Sequence, residues 1–275
     1  MSVFRRGLFD GRVAIVTGGG TGIGRSIATE LLHLGCTVVI ASRNAQRLRD
    51  AADEMRADGG RILAVPCNAR RESDVKSLFE TTLSSYGRLD YVINNGGGQY
   101  VSASESITLK GWNAVIETNL QSTFLCCREA YASHMKANGG AIVNMAMNFY
   151  NGHPGFLHSS AARAGVDNLT KTLAVEWAAS GIRVNCVAPG HVYSATAAAN
   201  YDPGLFDAMK SKSPAKRLGT PEEVSSVVCF LLSPAAAYVT GVTVPIDGGL
   251  RLYGSYVSLP DHDRMPVYSW QKAKL

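Results

Sequence analysis

No run of apolar residues in this chain reaches bilayer length, which excludes a membrane-spanning helix as its organising element. Residues 1–12 carry Arg5 and Arg6 but no apolar stretch of the secretory-signal kind. Cysteine is sparse: Cys36, Cys67, Cys126, Cys127, Cys186 and Cys229 show no metal-ligand spacing, and no metal site is expected. Most lie within apolar runs and read as small core residues of a reducing compartment, not as a disulfide framework. Charge is sparse too. Charged residues make up 18% of the chain, and the formal net charge of +5 is far from a nucleic-acid-binding signature. The densest basic cluster, Lys210, Lys212, Lys216 and Arg217, reads as a solvated face. Repeats, low-complexity segments and linkers are also missing, so the 275 residues are expected to form one domain.

What is present in quantity is glycine, and its placement is informative. Thr17-Gly18-Gly19-Gly20-Thr21-Gly22-Ile23-Gly24 follows the short β-rich run Val13-Ala14-Ile15-Val16. After it, Ile27, Ala28, Leu31 and Leu32 recur at helical spacing. Gly18 allows a tight turn, Gly22 a close ligand approach, and Gly24 close helix–strand packing. The unpaired N–H groups of the helix start then face a pyrophosphate. Gly18, Gly20, Thr21, Gly22, Ile23 and Gly24 are therefore candidate dinucleotide contacts; a ligand-free glycine turn is the plainer alternative.

Strand and helix patterns alternate along the rest of the chain. Strands are expected at 13–16, 37–41, 62–66, 91–93, 141–145, 183–188 and 242–246. Helices are expected at 25–34, 45–57, 71–86, 111–136, 160–178 and 221–232. Such spacing implies right-handed crossovers and a parallel sheet covered on both faces. Two stretches break the rhythm. Residues 191–214 look irregular and lid-like, and 250–275 form a tail that covers a pocket, packs on a neighbouring subunit or exposes its end. That end, Ala273-Lys274-Leu275, approximates a Ser-Lys-Leu peroxisomal address read by an import receptor.

In order and spacing, these elements resemble the short-chain dehydrogenase/reductase family. Asn94-Asn95-Gly96-Gly97-Gly98 resembles its Asn-Asn-Ala-Gly element, Asn119 its active-site helix asparagine, Pro189-Gly190 the turn near the nicotinamide, and Ile246-Asp247-Gly248-Gly249 its last strand. The resemblance implies a single Rossmann-like, doubly wound α/β domain with a seven-stranded parallel sheet, commonly a homodimer or homotetramer. It also implies cofactor contacts at Asn68, Asn95, Gly96, Gly97, Pro189 and Gly190. An NAD-specific site usually places an acid at the end of the second strand; Ala41-Ser42-Arg43 stands there instead. Ser42 and Arg43, with Arg47 one turn on, suit a 2′-phosphate and hence NADPH.

The catalytic stretch departs from the family pattern of Ser, then Tyr-x-x-x-Lys. Ser159 stands at the tyrosine position and Arg163 at the lysine position, and Asn144-Met145-Ala146-Met147 lacks the serine. Such a site is poorly equipped for alcohol–ketone interconversion. Reduction of an activated C=C bond needs less: an oxyanion donor and a proton that can arrive through water. Ser159 can donate, Arg163 can replace lysine as a fixed cation over the ribose, and Tyr150 is the nearest phenol. Asn94-Asn95-Gly96-Gly97-Gly98-Gln99, His158-Ser159-Ser160-Ala161-Ala162-Arg163-Ala164-Gly165-Val166 and Pro260-Asp261-His262-Asp263 resemble the trans-2-enoyl-CoA reductase branch of the family, which implies NADPH-dependent saturation of an acyl-CoA thioester. In that branch a tyrosine stands where this chain has Asp167, so Asp167 is expected to be structural, in an i, i+4, i+8 charge ladder with Arg163 and Lys171. Reduction of 2,4-dienoyl-CoA, reduction of a 3-oxoacyl thioester and a catalytically silent nucleotide-binding role remain alternatives.

Overall fold

The computed structural model describes residues 2–147, 152–194, 198, 203–252 and 261–269. Seven strands form one sheet: β1 (Val13–Thr17), β2 (Thr37–Ser42), β3 (Ile62–Pro66), β4 (Tyr91–Asn94), β5 (Gly140–Met145), β6 (Ile182–Pro189) and β7 (Thr243–Ile246). Their order is β3-β2-β1-β4-β5-β6-β7, with all pairs parallel. Both faces are covered, which is why the strands read as continuous apolar runs. In β1, Ala14 and Val16 enter one core and Ile15 the other; Val38 and Ile40 of β2 part from Val39 and Ala41 in the same way.

The first core is sealed by α1 (Gly22–His33), α2 (Ala45–Ala57) and α9 (Pro221–Leu232), through Ile27, Leu31, Leu48, Val224 and Val228. The second is sealed by α3 (Glu72–Tyr86), α5 (Ser122–Ala130) and α7 (Leu157–Glu176), through Leu78, Phe79, Leu125 and Ala174. After β3 the chain crosses back to place β4 beside β1. This reversal opens a crevice at the carboxyl ends of β1 and β4, where open α/β sheets bind their ligands. The six cysteines are all buried and free, as expected of core residues.

Several expectations need correction. The helix anticipated over 111–136 is a composite. α4 (Leu109–Ile116) passes into a π turn at Glu117–Gln121, then α5, a second π turn at Tyr131–Met135, and the short α6 (Lys136–Asn138). Residues 191–214 are not wholly irregular: α8 (Pro203–Lys212) lies there, its proline placed where a missing N–H costs a helix nothing. Residues 195–197 and 199–202 lie outside the described residues.

The basic cluster is not simply a solvated face. Arg217 grips Glu223 with two hydrogen bonds of 2.9 and 2.6 Å, and the Lys216 side chain is mostly buried. Glu223 and Thr220 form a capping box that starts α9. The described tail is fastened to this junction: Arg217 donates to Pro266 O at 2.6 Å, Thr220 Oγ1 to Tyr268 O at 3.0 Å, and Lys216 pairs with Asp261 at 3.3 Å. Residues 261–269 of the tail therefore pack on their own chain.

Replacing Thr220 with alanine removes both the cap and the tail contact. The expected loss is about 1–2 kcal/mol in urea unfolding, with earlier proteolytic cleavage within 261–269.

Candidate active site

The glycine turn closes as the sequence spacing requires. Gly18 and Gly22 hold φ of +67° and +52°, a region that penalises any side chain with a Cβ. A Cβ on Gly24 would lie 2.3 Å from Gly18 O, so α1 packs directly on the turn. Gly20 plays a lesser part; a Cβ there would make only ordinary contact with Leu48. Thr21 is the N-cap of α1, yet its side chain makes no capping bond and the first turn carries no acid. The N–H groups, the dipole and a spare hydroxyl thus converge beside Ile23 on a space suited to phosphate oxygens.

The loop after β4 is fastened to its neighbours residue by residue. Asn95 Nδ2 donates to Thr17 O at 3.0 Å, and Gly96 N–H donates to Thr17 Oγ1 at 2.9 Å. Asn119 takes the next step: its Nδ2 donates to Gly98 O at 2.8 Å, while its Oδ1 accepts from Gly98 N at 3.2 Å. Asn119 is buried in the π turn and also donates to Val115 O at 2.7 Å. A regular helix would give that carbonyl to the backbone N–H of residue 119. The Asn119 side chain reaches the same carbonyl from within the π turn, and such turns are frequent at functional sites.

Gln99 and Tyr100 then dock on the start of α7. Ser159 Oγ donates to Gln99 Oε1 at 2.5 Å, and the Tyr100 ring meets His158 edge to face. Ser102 N–H donates to Gly155 O at 3.0 Å, closing the seam. Four residues on, Arg163 is buried and donates through Nη1 to Met145 O, at the end of β5. Burial pushes its guanidinium down to about 10, so it stays charged at neutral pH. Nη2 lies where a side chain on Gly97 would be: a Cβ there would come within 2.3 Å of it and 2.8 Å of Asn119 Oδ1.

The expected charge ladder forms only in part. Lys171 Nζ donates to Asp167 Oδ2 at 2.6 Å, but the other oxygen accepts from Thr243 Oγ1 of β7, also at 2.6 Å. Asp167 thus ties α7 to the last strand, whereas Arg163 turns toward β5 and the β4 loop. Asp167 is structural in geometry, but the support of Arg163 expected from it is not seen.

The other described candidates surround the same crevice. Ser42 ends β2, and Arg43 and Arg47 are exposed, with no acid in the first turn of α2. The Arg47 backbone approaches Gly20. Asn68 is spent on a turn, accepting from Arg70 N–H at 3.3 Å. Pro189 ends β6, and Gly190 N–H donates to Ile246 O at 2.9 Å. Tyr150 and the terminal Ala273, Lys274 and Leu275 lie outside the described residues. Gln99 was not anticipated as a site residue. A lone glutamine after a glycine run carries no pattern; the loop's extended path alone places it on Ser159.

A doubly wound parallel sheet with a glycine-rich turn at its switch point and a polar α7 face beside it defines a dinucleotide-dependent oxidoreductase of the Rossmann type. Comparison with known proteins narrows the class. Residues 18–251 match the family described as Enoyl-(Acyl carrier protein) reductase. The chain is 36% identical to a Bacillus subtilis protein named probable 2,4-dienoyl-CoA reductase, covering 86% of this chain and 96% of that one. It is 34% identical to a peroxisomal 2,4-dienoyl-CoA reductase of Danio rerio, over 99% and 91% of the two chains. Among solved structures, a citronellol catabolism dehydrogenase of Pseudomonas aeruginosa superposes with a TM-score of 0.83 at 44% identity, covering 91% of this chain and 99% of that one. The chain belongs to the short-chain dehydrogenase/reductase family.

Gly97→Ala is expected to cost about 1–3 kcal/mol in denaturant unfolding, because neither Arg163 nor Asn119 can retreat. Adding Arg163→Lys to that variant removes the obstructing Nη2 and should recover part of the loss, the 2.8 Å approach to Asn119 Oδ1 remaining.

Proposed function

We propose that this protein uses NADPH to reduce a C=C bond conjugated to a CoA thioester, with trans-2-enoyl-CoA as substrate. The observation that carries this reading is the α7 face, where Ser159 and Arg163 meet Gln99, Asn119 and Gly97. That face offers a hydroxyl and a buried cation instead of a phenol and an ammonium. Arg163 cannot give up a proton as a general acid, so it serves to hold and orient negative charge.

When bound, NADPH supplies hydride to the β-carbon of the thioester. The turn from Gly18 to Gly24 and the free start of α1 would hold its pyrophosphate, and Ser42, Arg43 and Arg47 its 2′-phosphate. The buried guanidinium of Arg163 would lie against the nicotinamide ribose. As charge develops on the thioester oxygen, the Ser159 hydroxyl turns from Gln99 to donate to it. The α-carbon is protonated by water or by Tyr150. Asn119 holds the β4 loop in register and is kept out of proton transfer by three hydrogen bonds of its own.

A second reading, reduction of 2,4-dienoyl-CoA, is favoured by the names of the B. subtilis, Danio rerio and rat relatives. Both readings use the same oxyanion donor and differ in how far conjugation extends. The terminal Ala273-Lys274-Leu275 is proposed as a peroxisomal address, in keeping with two relatives named as peroxisomal, and the protein as a homo-oligomer. No helix among the described residues is long and apolar enough to cross a membrane.

The test is NADPH oxidation with trans-2-decenoyl-CoA, 2,4-decadienoyl-CoA and 3-oxodecanoyl-CoA, with NADH in parallel. Turnover of the first with NADPH supports the reading, and preference for the second selects the dienoyl alternative. Activity on the 3-oxo substrate alone, or on none, overturns both. Arg43→Gln should weaken NADPH binding about tenfold or more while leaving NADH nearly unchanged, the weight of a lost charge-assisted phosphate contact.

A further inference from the structure

His158 holds a buried donor for which the fold supplies no acceptor. It sits in the first turn of α7 and is fully shielded from solvent. The Ser159 N–H donates to its Nδ1 at 3.0 Å, so Nδ1 is unprotonated and the ring proton is on Nε2. That Nε2 is occluded and has no hydrogen-bond partner among the described residues. The ring packed on it is Tyr100, centroids 4.5 Å apart and planes at 87°. A phenol face is at best a weak acceptor. A buried N–H with no acceptor weakens a fold, and phenylalanine would fill the same space without that defect. Such a group calls for a role outside folding.

Its neighbours indicate which role. His158 and Ser159 are consecutive on α7, and Tyr100 and Gln99 are consecutive on the loop that faces them. The imidazole therefore stands beside the proposed oxyanion donor, with Tyr100, itself partly exposed, as its cover. We propose that His158 is a substrate-binding residue. An acyl-CoA entering between the 97–102 loop and α7 displaces the Tyr100 ring, and Nε2–H donates to a carbonyl oxygen of the thioester–pantetheine segment. The proposal rests on the acyl-CoA reading above and adds a donor that the reading does not use.

The experiment is calorimetric binding of hexanoyl-CoA to the NADP⁺-loaded protein, with thermal unfolding of each variant. His158→Phe keeps the ring and loses the proton; it should bind about tenfold more weakly, near the weight of one hydrogen bond, with Tm unchanged or higher. His158→Gln restores an N–H near the Nε2 position and should bind within about threefold of the wild type. Wild-type-like affinity in His158→Phe, equal weakening by glutamine, a lower Tm in His158→Phe, or no hexanoyl-CoA binding by the wild type would each overturn the assignment. Turnover is read separately. A protein that binds hexanoyl-CoA through His158 yet reduces no thioester loses the reductase reading and keeps this one.

Discussion

The side-chain amide of Asn95 is the joint on which the site depends. By donating to Thr17 O and reaching Gly18 O at 3.4 Å, it fixes the β4 loop against the glycine turn at the point where the sheet reverses. Thr17 completes the joint by accepting from Gly96 N–H. Both walls of the crevice are thereby set by backbone groups that a side chain holds in place. A second amide pair lies directly beneath: Asn94 Nδ2 donates to Asn144 Oδ1 at 2.9 Å, and Asn144 Nδ2 to Thr170 of α7 at 2.9 Å. β4, β5 and α7 are thus linked through buried amides, where a lost partner would leave the other group unsatisfied.

From that frame the chemistry of α7 follows. An arginine is longer than the lysine the family usually has at this position, and it needs room that only Gly97 leaves. Its planar head then reaches Met145 O and fills the gap between β5 and the β4 loop. Asp167, one turn further along, is already committed to Lys171 and Thr243. The cation and the carboxylate share one helix yet serve different parts of the molecule, one the crevice and the other the β7 edge of the sheet.

Much of the frame is legible in the sequence because it is local. β3, α2 and α9 fall where the apolar period puts them, and α1 follows the glycine turn, starting at Gly22, three residues before the expected 25–34. Arg163 falls within the helix expected at 160–178, whereas Ser159 joins it only because α7 starts earlier, at Leu157. Long-range facts are not legible in the same way. Nothing local tells Asp167 that Thr243 waits on a strand 76 positions away, or Gln99 that its partner is 60 positions on. α8 was hidden by the glycine and proline around its start, which read as loop when its last turn is not yet known to be helical. The π turns were hidden for a different reason: their residues have ordinary helix propensity, and only the hydrogen bonds reveal the extra one.

The first of those turns has an evolutionary consequence. A π turn holds one residue more than a regular helix accommodates, so it is one insertion or deletion away from regularity. Deleting a residue between Glu117 and Gln121 would restore the standard ladder with the flanking turns kept in phase, so the residues of the bulge itself would move. Asn119 would then leave Gly98, and the loop would lose its register. The mutational step that most simply regularises this helix would therefore cost the crevice its anchor, and the irregularity and the register of the loop stand or fall together.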